Sequence, residues 1–335
     1  MVAAAPKFGV FLPSLYDDRP PSLETLCTYA ERAEALGLDS LWVIDHLFRA
    51  APSYRVTWLE PLTVLTAVAA RTRRISLGTA ILVLPLRDPV ILAKQVASLD
   101  VLTGGRIVLG VGTGWSEQEF AACGIPYAER GRRAEEIIEL LKRLWTEERV
   151  TFEGRHYRVR DIRIEPRPVQ RPHPPIWIGG GVWYPQHAAH LTDTPGYRPD
   201  AVLRRVGRLG DGHFPSYRAI LQSDMTHVRR AFARVQVFAR EAGRDPDALT
   251  LATQEYLYLV ENGDLDRARS AVARFTPLGF EEARRLYLLG TPDEVVGMIR
   301  ARLDAGVQHL ALCPIVPDIA QLEMLARDVL PRLRA

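Results

Sequence analysis

Eight short apolar runs, most of them separated by segments of helical period, constrain this chain more than any other feature. Lys7–Ser14 (KFGVFLPS) opens the series. Ser40–His46 (SLWVIDH), Ile75–Leu84 (ISLGTAILVL), Arg106–Trp115 (RIVLGVGTGW), Pro175–Gly181 (PIWIGGG), Asp211–Ser216 (DGHFPS), Leu249–Leu259 and His309–Ile315 (HLALCPI) follow. Val, Ile and Leu dominate these runs, as they do in parallel strands covered on both faces. The helices between them are marked by their ends as well as by their period. Pro21 and Ser22 open one that carries Leu23, Leu26, Cys27, Ala30 and Ala33 on one face and stops at Gly37. Asp88-Pro89 sets an N-cap before a first-turn proline, in a helix that ends at Gly104-Gly105. Thr291 and Glu294 have the spacing of a capping box, and that helix ends at Gly306. Such alternation admits an open doubly wound sheet or a closed ring. Eight strands favour closure, so the sequence predicts a (β/α)8 barrel of the α/β class, with insertions after strands 4 and 5.

At 335 residues the chain is long enough for two average domains, yet a barrel of this kind is commonly one, and a single domain over residues 1–335 is expected. Two stretches break the plain alternation. Residues 150–174, rich in Arg and Pro with Phe152 and Tyr157, read as a small hairpin before the fifth strand. Residues 182–200 (VWYPQHAAHLTDTPGYRPD) carry three prolines and three large aromatics, and read as a loop at the barrel mouth. A lid, an oligomer contact and a disordered excursion are all open readings for it.

Composition excludes several classes of function. The 43 Lys+Arg against 40 Asp+Glu leave a formal charge of +3, with basic residues spread among acids, which gives no sign of a polyanion-binding tail. The aromatic and basic residues of 150–174 are too few and too broken by proline to make a nucleic-acid platform. Cys27, Cys123 and Cys313 are odd in number and share no metal-ligand spacing, which fits a reducing, cytoplasmic setting without disulfides. No window approaches the ~20 uninterrupted apolar residues of a membrane span.

In a barrel, chemistry belongs at the C-terminal ends of the strands. There the second strand carries Asp45-His46, the third Gly78-Thr79-Ala80-Ile81, the fourth Gly112-Thr113-Gly114-Trp115 and the fifth Gly179-Gly180-Gly181. Small residues at a mouth let a flat or phosphorylated ligand approach the backbone. The spacing Gly110-Val-Gly112-Thr-Gly114 is not the dinucleotide fingerprint, and a tight strand-to-loop turn is the competing reading. His46 is the candidate acid–base group, because an imidazole both gives and takes a proton near neutral pH. A structural histidine at a strand end is the alternative. Asp45 either bonds a ligand or caps the loop. Glu60, Glu117 and Glu119 each lie at a helix start, where the dipole favours an acid, so they are first-turn acids or mouth acids alike. His187 and His190 stand three apart with no third ligand near, and no metal site is expected. Nucleophile-elbow, Walker and H-E-x-x-H patterns are all missing from the sequence.

Taken in order, these residues resemble the bacterial luciferase-like superfamily of flavin- and deazaflavin-dependent oxidoreductases, most closely its coenzyme F420-dependent branch. The matching text includes KFGVFLPS, AERAEALGLDSLWVIDHL and LEPLTVLTAVAARTRRISLGTAILVLPLRDPVILAKQVASLDVLTGGRIVLGVGTGWSEQEF. It continues through PRPVQRPHPPIWIGGG, RRVGRLGDGHFP and GTPDEVVGMIRARLDAGVQHLAL. The resemblance implies a homodimeric (β/α)8 barrel that holds a planar tricyclic cofactor at its C-terminal mouth and acts on a small molecule. Coenzyme F420 is the implied cofactor and FMN the alternative. By the same resemblance His46 is the proton donor or acceptor and Asp45 a hydrogen-bonding neighbour of the ring. Gly78, Thr79, Ala80 and Ile81 span a non-prolyl cis peptide behind the ring, with Thr79-Ala80 favoured as its place. Gly112, Thr113, Gly114 and Trp115 lie beside the cofactor's side chain, and Gly179, Gly180 and Gly181 meet its phosphate.

Two departures limit the carry-over. In the F420-dependent sugar-phosphate dehydrogenases a glutamate directly follows the fourth-strand glycines. Here Trp115 stands there, with the acids displaced to Glu117 and Glu119, so phosphosugar chemistry is not carried over. Residues 182–200 intervene where the family runs almost straight into a helix, so substrate contacts are expected from Trp183, Tyr184 or Tyr197, together with Glu117. The expected reaction is hydride transfer between F420 and a small organic substrate, with His46 relaying the proton. An FMNH2-dependent monooxygenase and a non-catalytic flavin-binding barrel are the alternatives.

Overall fold

The computed structural model describes residues 5–49, 56–181, 199–215, 225–261 and 263–334. Eight parallel strands close into a barrel: β1 (Lys7–Phe11), β2 (Ser40–Val43), β3 (Ser76–Thr79), β4 (Ile107–Gly112), β5 (Ile176–Gly179), β6 (Gly212–Phe214), β7 (Thr250–Leu259) and β8 (His309–Pro314). Closure is carried at one seam by Ile176 opposite Leu109 and at another by Lys7 opposite His309. The expected barrel is the observed one. Each strand is shorter than its apolar run.

The third run differs most from expectation. It breaks into β3 and a short segment Leu82–Val83, both paired with β4. Gly78 lies opposite Val108, but Leu82 lies opposite Val111, so the pairing slips by one residue across Ala80-Ile81. A slip of this kind is a β-bulge.

The helices form where the caps indicate. Ser22 accepts from Thr25 N at 3.1 Å ahead of α1 (Leu23–Ala35), and Glu60 caps α2 (Pro61–Ala69). Asp88 accepts from Val90 N and Ile91 N ahead of α3 (Pro89–Thr103), which closes on a left-handed Gly104. After these come α4 (Glu117–Ala122), α5 (Arg130–Thr146), α6 (Pro199–Leu209) and α7 (Thr226–Glu241). Then α8 (Leu265–Phe275), α9 (Phe280–Leu286) and a strand, Leu288–Gly290, form an excursion paired with the outer end of β7. Alternation alone did not indicate that excursion. The reciprocal Thr291–Glu294 box starts α10 (Pro292–Asp304). The final helix is not continuous: α11 (Ile319–Met324) gives way to a π turn over Leu325–Val329. Val150–Glu153 and Arg158–Ile162 pair antiparallel as the expected hairpin. Among the described residues no helix is long and apolar enough to cross a membrane.

Two buried polar devices lock the scaffold. Arg302 on α10 forks onto both carboxylate oxygens of Glu255 on β7, at 2.9 and 3.0 Å, with both side chains fully buried. Inside the barrel, Trp42, Trp177, Phe214 and His309 make an aromatic plug, with ring centroids 5.1–5.6 Å apart. The plug fits because the neighbouring strands carry glycine. A Cβ on Gly78 would lie 2.2 Å from Trp42 Cζ3. Ser40 Oγ joins the plug's polar atoms, 2.7 Å from both Trp42 Nε1 and His309 Nε2. The indole can only donate, so Ser40 Oγ accepts from Trp42 Nε1, and its contact with His309 Nε2 completes a buried polar chain.

Burial, with a smaller push from Lys7, drives the His309 pKa down to about 3, and burial drives His213 down to about 4. Both folded values lie below the unfolded one. Their contribution to stability is therefore complete above pH ~6.5 and is lost as the pH falls towards those values. Urea unfolding of His309→Gln should show a slope of stability against pH, between pH 6 and 4, flatter than wild type by up to about 1.4 kcal/mol per pH unit. Equal slopes would contradict a neutral buried imidazole.

Candidate active site

β2 delivers the central residues of the mouth. Trp42 and Ile44 face the barrel interior, and the two-residue period of an extended chain puts His46 on their side with Asp45 between. Asp45 is buried. Its Oδ2 accepts from Val83 N at 2.8 Å and its Oδ1 from Arg87 Nη2 at 2.8 Å. Arg87 in turn reaches Glu60 Oε1 at 3.0 Å. Burial raises the Asp45 pKa, against the opposing pull of Arg87 and the Val83 N–H. With both oxygens engaged inside the protein, Asp45 braces the segment that follows the bulge.

His46 is held from three sides. Its Nδ1 lies 3.2 Å from Glu119 Oε1, and the ring sits 5.1 Å from Trp58 and 5.4 Å from Trp115. The same Glu119 oxygen accepts from Leu47 N at 2.6 Å. Burial alone would raise the Glu119 pKa. The His46 hydrogen bond and charge, with the Leu47 and Phe48 N–H groups, outweigh it and hold the carboxyl below the usual glutamate range.

The bulge forms the wall beside this pair. Its non-prolyl cis bond joins Ala80 to Ile81, one bond later than the favoured Thr79-Ala80. The Ile81 side chain lies across the ends of β4 and β5, where a Cβ on Gly112 or Gly179 would fall 1.9 or 2.9 Å from Ile81 Cδ1. At Gly110 a Cβ would fall 2.0 Å from Thr79 O, and Thr79 Oγ1 donates to Gly110 O at 2.7 Å. These glycines therefore make room for the bulge itself, a reason that motif spacing does not reveal. Gly180 and Gly181 adopt left-handed φ of 90° and 82°, which suits glycine, and the buried His213 Nε2 lies 2.7 Å from Gly180 O.

Of the expected site residues, His46, Asp45, Gly78, Thr79, Ala80, Ile81, Gly112, Thr113, Gly114, Trp115 and Gly179 to Gly181 gather at the C-terminal ends of β2 to β5. Glu117 is exposed in the first turn of α4, while Glu119 turns inward. Glu60 is a helix cap. Trp183, Tyr184, His187, His190 and Tyr197 lie outside the described residues. Arg87, Trp58 and His213 belong to the same region and were not singled out from the sequence. Each is joined to the site by a long-range contact with no local motif.

A closed parallel barrel with an imidazole, a bulge and glycine-ended strands at its C-terminal mouth is the frame of a barrel enzyme. Residues 6–189 match the family model described as luciferase-like monooxygenase, and the chain belongs to that family. An F420-dependent glucose-6-phosphate dehydrogenase of Amycolatopsis mediterranei is 31% identical over 322 residues, covering 92% of this chain and 94% of that protein. An FMNH(2)-dependent dimethylsulfone monooxygenase of Pseudomonas putida is 30% identical, covering 82% and 78%. Among solved structures, an F420-dependent secondary alcohol dehydrogenase in complex with an F420-acetone adduct superimposes with a TM-score of 0.80 at 21% identity, over 99% of this chain and 100% of that one.

The seating of Ile81 is testable through stability. Gly112→Ala should lower the melting temperature by several degrees, since one overpacked methyl in a tight core costs about 1–3 kcal/mol. Adding Ile81→Ala removes the colliding atoms, so Gly112→Ala should cost markedly less in that background. Simple additivity of the two losses in thermal melts would contradict the packing described.

Proposed function

We propose that this protein is an oxidoreductase that moves a hydride between coenzyme F420 and a small organic substrate, with His46 as the acid–base group. The observation that carries the reading is the His46 imidazole. Its Nδ1 is held against Glu119, and Nε2 has no hydrogen-bond partner among the described residues. F420-dependent relatives at about 30% identity support the choice of cofactor.

The residues present fit a flat heterocycle. Ile81, partly exposed on the bulge, offers an apolar wall. Gly180 and Gly181 would hold the phosphate end, where left-handed glycines let an anion approach the backbone. When bound, the deazaflavin supplies the carbon that takes up or gives a hydride. The rest falls to the chain. Ile81 backs the ring, Asp45 keeps the bulge in register through Val83, and Trp58 with Trp115 shields the imidazole from water. In the oxidising direction His46 Nε2 takes the substrate's hydroxyl proton; in the reducing direction it returns one to the product oxygen. Holding the reactants together in a dry mouth supplies much of the rate. Trp115 occupies the place of an acid, so the phosphosugar of the dehydrogenase relatives is not assigned as substrate.

The Pseudomonas relative favours a second reading, an FMNH2-dependent monooxygenase. A cytoplasmic homodimer belongs to the same proposal. It is supported by Ile91 and Leu102 on α3, which are 61% and 78% exposed although apolar.

Fluorescence titration of the purified protein with F420 and with FMN separates the readings. Binding of F420 in preference to FMN is expected. Tight FMN binding without F420 would overturn the assignment in favour of the monooxygenase, and binding of neither would favour a non-catalytic barrel. With the preferred cofactor, His46→Ala should lower turnover by about 10²–10⁴-fold; an unchanged rate removes the acid–base role.

A further inference from the structure

We infer that Glu119 is a positioning residue that fixes His46 as its Nδ1–H tautomer and so reserves Nε2 for the proton exchanged with substrate. The inference deepens the function proposed above and rests on it for the task given to His46.

Three features of the geometry converge. First, Glu119 reaches the imidazole from another strand's connection. It lies in the first turn of α4, just beyond the glycines of β4, yet it touches Nδ1 of a residue at the end of β2. The contact spans the bulge of β3, which lies between those two strands in the ring. Second, the carboxylate is fixed independently of the histidine. Leu47 N donates to Oε1 at 2.6 Å, and the Phe48 N–H adds to the favourable field, so the oxygen stays in place whichever way the ring turns. Third, the pair is sheltered. The side chains of His46 and Glu119 are 9% and 3% exposed, with Trp58 and Trp115 beside the ring.

The chemistry follows from the inventory of donors and acceptors. An ionised carboxylate accepts hydrogen bonds and cannot donate them. Held below the usual glutamate range, Glu119 is ionised near neutral pH, so the imidazole must offer it an N–H at Nδ1. The neutral ring then carries its lone pair on Nε2, the form that takes a proton from an alcohol. Once protonated, the imidazolium faces an anion, which favours its charge. Among the described residues, Asp45 and Glu60 have partners of their own: Asp45 is bonded to Arg87 and Val83, and Glu60 to Arg87 and Thr63.

The test combines nitrogen NMR with kinetics on the full chain. Spectra of 15N-histidine protein without cofactor, with the His46 signals identified by their loss in His46→Ala, should show a protonated Nδ1 and a bare Nε2. Glu119→Gln keeps an oxygen for Leu47 N but removes the charge. It should mix the two tautomers and move the pH–rate limb governed by His46 to lower pH. It should also lower kcat at neutral pH by at least about tenfold, leaving KM and cofactor affinity within about twofold. Glu119→Asp should restore part of the loss. Unchanged nitrogen shifts and an unchanged pH limb in Glu119→Gln would overturn the proposal, as would a bare Nδ1 in the wild type. A fully active His46→Ala enzyme would instead sink the function reading, while the tautomer spectra would still report on Glu119 alone.

Discussion

The side chain of Ile81 lies across two strand ends that carry no side chains of their own, and the form of the mouth depends on that contact. The slip between Gly78–Val108 and Leu82–Val111 inserts one residue into the third strand. The inserted length must go somewhere, and it goes over Gly112 and Gly179. A Cβ at either position would meet the Ile81 side chain, which would have to shift. Thr79 then anchors the near side of the bulge to Gly110, and Asp45 anchors the far side through Val83. Strands two, three, four and five are thereby locked to one geometry at the end where the site lies.

Buried charge is costly, and ion pairs removed from water repay that cost only when geometry and extra hydrogen bonds are good. Three pairs in this barrel meet that condition in different ways. Arg302 and Glu255 satisfy each other in a fork, tie α10 to β7 and leave the mouth untouched. Asp45 takes Arg87 on one oxygen and the Val83 N–H on the other, so the charge serves the bulge. Glu119 meets both the Leu47 N–H and His46 Nδ1 with Oε1, so the charge faces the imidazole. In the last two, a carboxylate is fixed by a main-chain N–H as well as by its cationic or titrating partner. Such double anchoring suits a group whose task is position.

The alternation of strands and helices was legible because most barrel strands are compact runs rich in β-branched residues and leucine, and because Ser22, Asp88 and Thr291 mark helix starts chemically. The gathering of Asp45-His46 and the glycine clusters at one end was legible from the barrel rule alone. The reasons for the glycines were not. Spacing suggests ligand approach, whereas the packing assigns Gly110, Gly112 and Gly179 to the bulge, whose register no linear pattern encodes. The cis bond falls one position later than the sequence suggested for the same cause. Glu117 and Glu119 looked equivalent as first-turn acids. On a helix, residues two apart point in nearly opposite directions, so only one can turn inward, and the buried Phe120 beside Glu119 marks which side that is. Arg87 gave no signal, because its partners come from distant points of the chain.

The replacement of a mouth acid by Trp115 takes its meaning from this arrangement. A carboxylate directly after the fourth-strand glycines would present its charge on the Trp115 side of the imidazole. Four residues later, in the first turn of α4, the carboxylate stands against Nδ1, and an indole covers the side it left. Charge behind the ring and apolar surface beside it are complementary. The carboxylate favours the imidazolium, and the indole keeps water from competing for the proton.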